Sequence, residues 1–124
     1  MPKIMVVDDD EEFTNLYKEY LKMVGFEAVS ENRSSKAMDL ACAEKPDLFV
    51  LDLMMPEPTG FQLCRMLRAD ESFKRTPIII VTALTDLDSK LVAMGAGAND
   101  YLTKPFHIDE LKSRINALLG ITPE

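Results

Sequence analysis

The sequence predicts an α/β fold: a parallel sheet of five strands, each followed by a helix, doubly wound so that helices cover both faces. Three observations predict it. Short apolar runs alternate from end to end with segments of helical apolar period. Three runs, Ile4-Met5-Val6-Val7, Leu48-Phe49-Val50-Leu51 and Ile78-Ile79-Ile80-Val81, are apolar throughout, as strands buried on both faces are. Each ends in polar groups: Asp8-Asp9-Asp10, Asp52 and Thr82. Open α/β sheets place their chemistry outside the carboxyl ends of the strands, so one rim would gather carboxylates and a hydroxyl.

The elements follow in order. Ile4–Val7 is the first strand. Phe13, Leu16, Tyr17, Tyr20, Leu21 and Val24 fall at i, i+3, i+4, i+7, i+8 and i+11, an amphipathic helix that Gly25 stops. Phe26–Ser30 is a weak strand with polar interruptions, as an edge strand would be. Ser34 or Ser35 can cap a helix through Ala37, Leu40 and Ala41 to about Glu44, and Pro46 breaks it. Leu48–Leu51 is the third strand. A loop with Pro56, Pro58 and Gly60 leads into a helix with Leu63, Cys64 and Leu67 on one face. Pro77 introduces the fourth strand, Ile78–Thr82. Thr85 or Asp86 can start a helix that aligns Leu87, Leu91 and Met94, with Gly95 and Gly97 at its end. Asp100-Tyr101-Leu102 is a short fifth strand. After Lys104-Pro105 comes a helix with Ile108, Leu111, Ile115 and Leu118 on one face. Asp109 and Glu110 suit the dipole in its first turn, and Gly120 closes it. Right-handed crossovers turn this (βα)5 pattern into a doubly wound sheet.

Composition narrows the function classes. The 124 residues suit one domain. An apolar fraction of 47% and a charged fraction of 28% suit a globular fold. The net charge of −7 argues against direct nucleic-acid binding, which needs clustered Lys and Arg. No apolar run approaches the ~20 residues of a membrane span, and Met1-Pro2-Lys3 opens no signal peptide, so the expected location is cytoplasmic. Cys42 and Cys64 lie on predicted helices among apolar neighbours and read as small core residues. His107 is the only histidine, which excludes a multi-histidine metal site; it reads as a residue near a helix start.

The rim groups set the chemistry. Asp8 and Asp9 follow strand one, Asp52 strand three, Thr82 strand four and Lys104 strand five. Clustered carboxylates raise one another's pKa unless something neutralises them. A hard divalent cation does so, and Mg²⁺ prefers a few carboxylates with water and phosphate oxygens. A carboxylate left free would be a nucleophile. Lys104 and the cation would balance the charge of a transferred phosphoryl group, and the Thr82 hydroxyl could donate to it.

These residues resemble the receiver domain of a two-component response regulator, of the chemotaxis-regulator type. The resemblance covers Lys3 to Leu119. It rests on Val6-Val7-Asp8-Asp9, on Leu51-Asp52-Leu53-Met54-Met55-Pro56 with Gly60 following, on Val81-Thr82-Ala83, and on Gly97-Ala98-Asn99-Asp100-Tyr101-Leu102-Thr103-Lys104-Pro105-Phe106. It implies a flavodoxin-like sheet of order 2-1-3-4-5. It implies that Asp52 takes a phosphoryl group from a phosphohistidine of a histidine kinase or phosphotransfer protein. Asp8, Asp9, Asp52 and the Met54 backbone carbonyl would ligate Mg²⁺, with Mn²⁺ as a substitute. Lys104, Thr82 and the Ala83 backbone N–H would contact phosphoryl oxygens, and the Lys104-Pro105 bond would be cis. Phosphorylation would draw Thr82 inward with the ring of Tyr101, remodelling the surface of helix four, strand five and helix five. That surface would control an output domain or downstream protein, or form a phosphorylation-dependent homodimer. The chain would act as a signalling phosphoacceptor that catalyses only its own phosphorylation and dephosphorylation.

The sequence departs from the family pattern in places. Thr59 stands where many members carry Asp, and His107 where many place a helix-capping Asp. Met54 and Leu84, two residues beyond Asp52 and Thr82, are apolar where they would govern water access to the acyl phosphate. Two other readings stand beside this one. Asp8-x-Asp10 resembles the first motif of haloacid-dehalogenase-like phosphatases, but Glu12 replaces the expected Thr or Val and no later acidic pair supplies the remaining metal ligands. A pseudo-receiver docking module would keep the fold without the chemistry. The chain reads as a single domain over residues 1–124, and the tail Gly120–Glu124 leaves open whether a longer regulator continues from it.

Overall fold

A computed structural model describes residues 1–121; Thr122, Pro123 and Glu124, on which the question of a continuing chain falls, lie outside the described residues. The strands are β1 (Lys3–Val7), β2 (Glu27–Glu31), β3 (Leu48–Leu51), β4 (Ile78–Thr82) and β5 (Asp100–Thr103). The helices are α1 (Glu11–Met23), α2 (Ala37–Glu44), α3 (Gly60–Ala69), α4 (Leu87–Gly95) and α5 (Ile108–Leu119). The sheet is parallel throughout, in the order β2-β1-β3-β4-β5. The doubly wound sheet read from the sequence is the one observed, with the polar strand β2 at an edge.

Strand alternation divides the core in two. Ile4, Val6, Val50, Ile79, Val81 and Leu102 face Leu21 of α1 and Leu111 and Ile115 of α5. Met5, Val7, Phe49, Leu51, Ile78 and Ile80 face Ala37 and Ala41 of α2, Leu63 and Leu67 of α3, and Ala93 of α4. The chain leaves β1 for β2 on one side and then crosses to β3 on the other. The strand order therefore reverses between β1 and β3, and a crevice opens there at the carboxyl ends.

Caps fix where the helices begin. Asp10 accepts from the Phe13 N–H at 3.2 Å and starts α1. Thr59 and Gln62 form a reciprocal capping box at α3, with hydrogen bonds of 3.3 and 2.8 Å. Asp86 caps α4 through the Ser89 N–H at 2.9 Å. Gly120 ends α5 in the left-handed region at φ 70°.

Several local expectations differ from the structure. Ser34 caps no helix: Ser34–Lys36 form a 3₁₀ turn, and the Ser34 hydroxyl donates to the Pro56 carbonyl at 2.8 Å, tying that turn to the loop after β3. Phe26 is buried just ahead of β2 rather than within it. Cys64 is buried as expected, but Cys42 is exposed, because α2 turns that position away from the sheet while Ala37 and Ala41 face it. Leu87, Leu91 and Met94 align on α4 but face outward, being 68%, 59% and 40% exposed. Leu16 and Tyr20 of α1 are likewise exposed. His107 occupies the N-cap of α5 without a side-chain capping bond. Glu57-Pro58 is cis, which the sequence did not suggest.

Arg68 is a further tie with no sequence signal. Its guanidinium donates to the carbonyls of Gly97, Phe73 and Thr76 at 2.9, 2.8 and 2.7 Å, and to Asn99 Oδ1 at 2.8 Å. Asn99 Oδ1 also accepts from the Ile78 N–H at 2.8 Å. One side chain thus fastens α3 to the entries of β4 and β5.

Gly60 is fixed by close approach. A Cβ there would collide with the Asp52 carbonyl oxygen and lie 2.6 Å from Leu53 Cα, both of them backbone. Its N–H donates to the Leu53 carbonyl at 3.2 Å. Gly60→Ala must therefore push α3 away from the segment that carries Asp52. The expected loss is about 2–4 kcal/mol in urea unfolding; a loss below about 0.5 kcal/mol would contradict the packing described.

Candidate functional site

The crevice between β1 and β3 is lined by carboxylates. Val7 pairs with Leu51, so Asp8 and Asp52 stand one step beyond the last paired residues of neighbouring strands. The Asp52 N–H still donates to the Val7 carbonyl at 3.0 Å, which extends the ladder by one bond. Asp8 and Asp52 are buried, 1% and 8% exposed, while Asp9 is exposed. One oxygen from each of Asp8, Asp9 and Asp52 lies within 4.8 Å of the others.

Each carboxylate is tied locally. Asp8 Oδ1 accepts from the Asp10 N–H at 2.9 Å, and Asn32 donates to the Asp8 carbonyl at 2.9 Å. Asp52 Oδ1 accepts from the Leu53 N–H at 2.9 Å. Lys104 reaches over from the end of β5. Its ammonium lies 2.7 Å from Asp8 Oδ2 and 4.0 Å from Asp52 Oδ2. The Lys104-Pro105 bond is cis, and the Lys104 N–H donates to the Thr82 carbonyl at 2.7 Å.

Burial dominates the electrostatics. It pushes the Asp8 carboxyl above its ordinary value; the bonds from Lys104 and the Asp10 N–H pull it back only in part, and the charge of Asp52 pushes it further up. Burial also raises Asp52, against the opposing pull of Lys104, the Leu53 and Met54 N–H groups and the Thr82 hydroxyl. One ammonium therefore does not neutralise the cluster. The donors are hard carboxylate oxygens without His or Cys, a set that fits Mg²⁺ or a similar divalent cation.

The other side of the rim carries the hydroxyl. Thr82 is fully buried, and its Oγ1 accepts from the Leu84 N–H at 3.4 Å. Ala83 is exposed beside it. The Tyr101 ring is buried, and its hydroxyl donates to the Leu84 carbonyl at 2.8 Å. Met54, 61% exposed, follows Asp52 by two residues. Met54, Leu84, Leu53, Met55, Pro56, Thr59 and Phe61 line an apolar cavity of about 460 Å³ beside the site.

The structure thus brings Asp8, Asp9, Asp52 and Lys104 together, as the sequence suggested. Asp10 is not among them, since its carboxylate caps α1. The Asp8-x-Asp10 pair therefore does not share a site, and the phosphatase reading loses its motif. Sequence reasoning missed Phe13, whose ring centroid lies 3.8 Å from the Lys104 ammonium. In the sequence Phe13 is one residue of the apolar face of α1.

Comparison with known proteins agrees with the geometry. The family model for the response regulator receiver domain matches residues 4–116. The DNA-binding dual master transcriptional regulator RpaA of Synechocystis is 40% identical over 122 residues, 98% of this chain and 51% of that protein. The transcriptional regulatory protein GltR of Pseudomonas aeruginosa is 40% identical over 116 residues, 94% of this chain and 48% of its own. The chain spans about half the length of these curated relatives. The receiver domain of the Francisella response regulator 1452 superposes with a TM-score of 0.89 at 35% identity, covering 99% of this chain and 100% of that one.

The raised carboxyls give a sign for stability. A group whose folded pKa exceeds its unfolded value stabilises the fold below the unfolded value and loses that contribution as pH rises through the folded one. Asp52 and Asp8 therefore weigh against the metal-free fold at neutral pH. In EDTA at pH 7, Asp52→Asn is expected to melt above wild type. Its advantage should shrink as pH falls toward the ordinary carboxylate range. A calorimetric Tm equal to or below wild type at pH 7 would contradict this.

Proposed function

The chain belongs to the response regulator receiver domains of two-component signalling, and from that premise we propose that Asp52 is its phosphoacceptor. An Asp52 oxygen attacks the phosphorus of a phosphohistidine on a partner histidine kinase or phosphotransfer protein. The P–N bond breaks and its electron pair leaves with the imidazole nitrogen. The observation that carries this reading is the cluster itself: Asp8, Asp9 and Asp52 oxygens within 4.8 Å, with the Lys104 ammonium against two of them.

Asp8, Asp9, Asp52 and the Met54 carbonyl would hold Mg²⁺, or Mn²⁺ in its place. The bound cation supplies charge neutralisation for the carboxylates and the incoming phosphoryl oxygens. Lys104 offers its ammonium to one phosphoryl oxygen, Thr82 its hydroxyl to a second and Ala83 its N–H to a third. The reaction modifies the chain itself and turns over no metabolite.

The signal leaves through Thr82. A shift of its hydroxyl toward the phosphoryl group draws on the Leu84 N–H, whose carbonyl already accepts from Tyr101. The Tyr101 ring is already buried, so the movement left to the switch is mainly that of the loop carrying Leu84. The face formed by α4, β5 and α5 would change with it. Exposed Leu87, Leu91, Val92 and Met94 on α4 support that face as a surface for an output domain, a downstream protein or a second copy. We read residues 1–124 as one receiver domain with its core from Lys3 to Leu119, either standing alone or opening a longer regulator. Among the described residues no helix is long and apolar enough to cross a membrane, and the net charge of −7 assigns this domain no nucleic-acid contact. We place it in the cytoplasm.

Incubation with Mg²⁺ and a small phosphodonor should add one phosphoryl mass to wild type and none to Asp52→Asn; a gain that survives in the variant would sink the assignment. The acyl phosphate should also be long-lived if apolar Met54 and Leu84, which line the cavity beside the site, exclude the attacking water. Met54→Asn and Leu84→Glu should each shorten its half-life several-fold, roughly the size of a single water-positioning contact. An unchanged or longer half-life in both would show that these side chains do not exclude that water.

A further inference from the structure

Lys104 is held by more than the carboxylates. Its ammonium, 2.7 Å from Asp8 and 4.0 Å from Asp52, also sits 3.8 Å from the centroid of the Phe13 ring. The face of an aromatic ring attracts a cation, more strongly where water is partly excluded, and the Lys104 side chain is 22% exposed. The ring is itself braced. Phe13 packs on Tyr17 at 4.2 Å between centroids, and Tyr17 packs on Phe106 at 5.1 Å. Phe13 and Tyr17 lie one turn apart on the same face of α1. Lys104 and Phe106 flank Pro105. Two rings of α1 thus grip both ends of the segment that aims the lysine.

The contacts of Lys104 differ in what becomes of them during the reaction. A divalent cation held by Asp8, Asp9 and Asp52 would take up the Asp8 charge and would repel a neighbouring ammonium. The Phe13 ring is neutral and ligates nothing, so its attraction for Lys104 survives. We propose that Phe13 is a positioning residue for Lys104: its ring, braced by Tyr17 and Phe106, keeps the ammonium within reach of Asp52 once Asp8 is engaged by metal. The inference rests on the reading of Asp52 as phosphoacceptor with Lys104 as its counter-charge, and names the residue that seats that lysine.

The test has two arms. In the first, the side-chain protons of Lys104 are followed by NMR in the wild-type chain, assigned by their loss in Lys104→Arg. The ring current of Phe13 should shift them upfield without metal, and most of that shift should remain at saturating Mg²⁺. Collapse to the ordinary lysine position on adding Mg²⁺ would overturn the proposal. In the second arm, Phe13→Leu, which keeps an apolar side chain on α1, should be phosphorylated by phosphoramidate about 3- to 10-fold more slowly at saturating Mg²⁺. Phe13→Tyr, which keeps the ring face, should recover most of that rate. A Phe13→Leu rate equal to wild type, or a Phe13→Tyr rate as low as Phe13→Leu, would equally overturn it. If wild type gains no phosphoryl group, the phosphoacceptor reading fails, and the NMR arm still decides whether the ring seats the lysine.

Discussion

Two buried carboxylates, Asp8 and Asp52, stand at the ends of neighbouring strands with a single ammonium against them. Two negative charges in a poorly hydrated crevice repel and lose solvation, and Lys104 offsets only part of that cost. The imbalance organises what surrounds it. It explains the local N–H donors of Asp10 and Leu53, each aimed at a carboxylate oxygen. It explains why a lysine from the far strand is brought across the rim and kept beside α1. Such a cluster favours added positive charge, which under the proposed function a divalent cation would supply.

The sheet topology makes that arrangement possible. Asp8 and Asp52 meet because β1 and β3 are neighbours across the reversal of strand order, in register at Val7 and Leu51. Had β1 and β3 been separated by another strand, at about 4.8 Å per strand the two carboxylates would be about 10 Å apart and no single ion could bridge them. Gly60 completes the construction from below. Its lack of a side chain lets α3 start directly against the backbone of Asp52 and Leu53, so the loop carrying Asp52 rests on a helix end.

Much of this was legible in the sequence. Uniformly apolar strands announced a buried parallel sheet, and the polar residues that end Ile4–Val7, Leu48–Leu51 and Ile78–Val81 marked the rim. The polar ends of the strands also placed Asp8, Asp9, Thr82 and Lys104 on the rim with Asp52, and the resemblance supplied the strand order. What stayed hidden depended on direction in space rather than on pattern. An apolar period locates a helix face but not what it faces: Leu87, Leu91 and Met94 gave a helical signal and point to solvent, where only Ala93 of α4 is buried. Cys42 looked like core on the same grounds and is exposed. Arg68 reads as an ordinary surface charge, yet its bonds join residues about 30 positions apart, which no local pattern encodes. Phe13 reads in the sequence as one residue of an apolar helix face, and its relation to Lys104 exists only once β5 and α1 are folded together.

The two faces of the sheet divide the work. Phe13 and the aromatic cluster that braces Lys104 belong to the α1 and α5 side, where the elements are packed through Leu21, Leu111 and Ile115. Tyr101 belongs to the α2, α3 and α4 side, and there Leu84, in the loop after Thr82, makes two hydrogen bonds, the shorter of them from Tyr101. Of the helices on that side, α3 is locked by Leu63, Cys64, Leu67 and the Arg68 bonds, whereas α4 buries a single residue. Local stability follows buried apolar contact, so among the helices on that side α4 is the least costly to displace. Under the proposed function, a charge change at Asp52 would meet the packed α1 side on one hand and the less buried α4 on the other, and movement would be directed toward α4, where Leu87, Leu91, Val92 and Met94 are exposed.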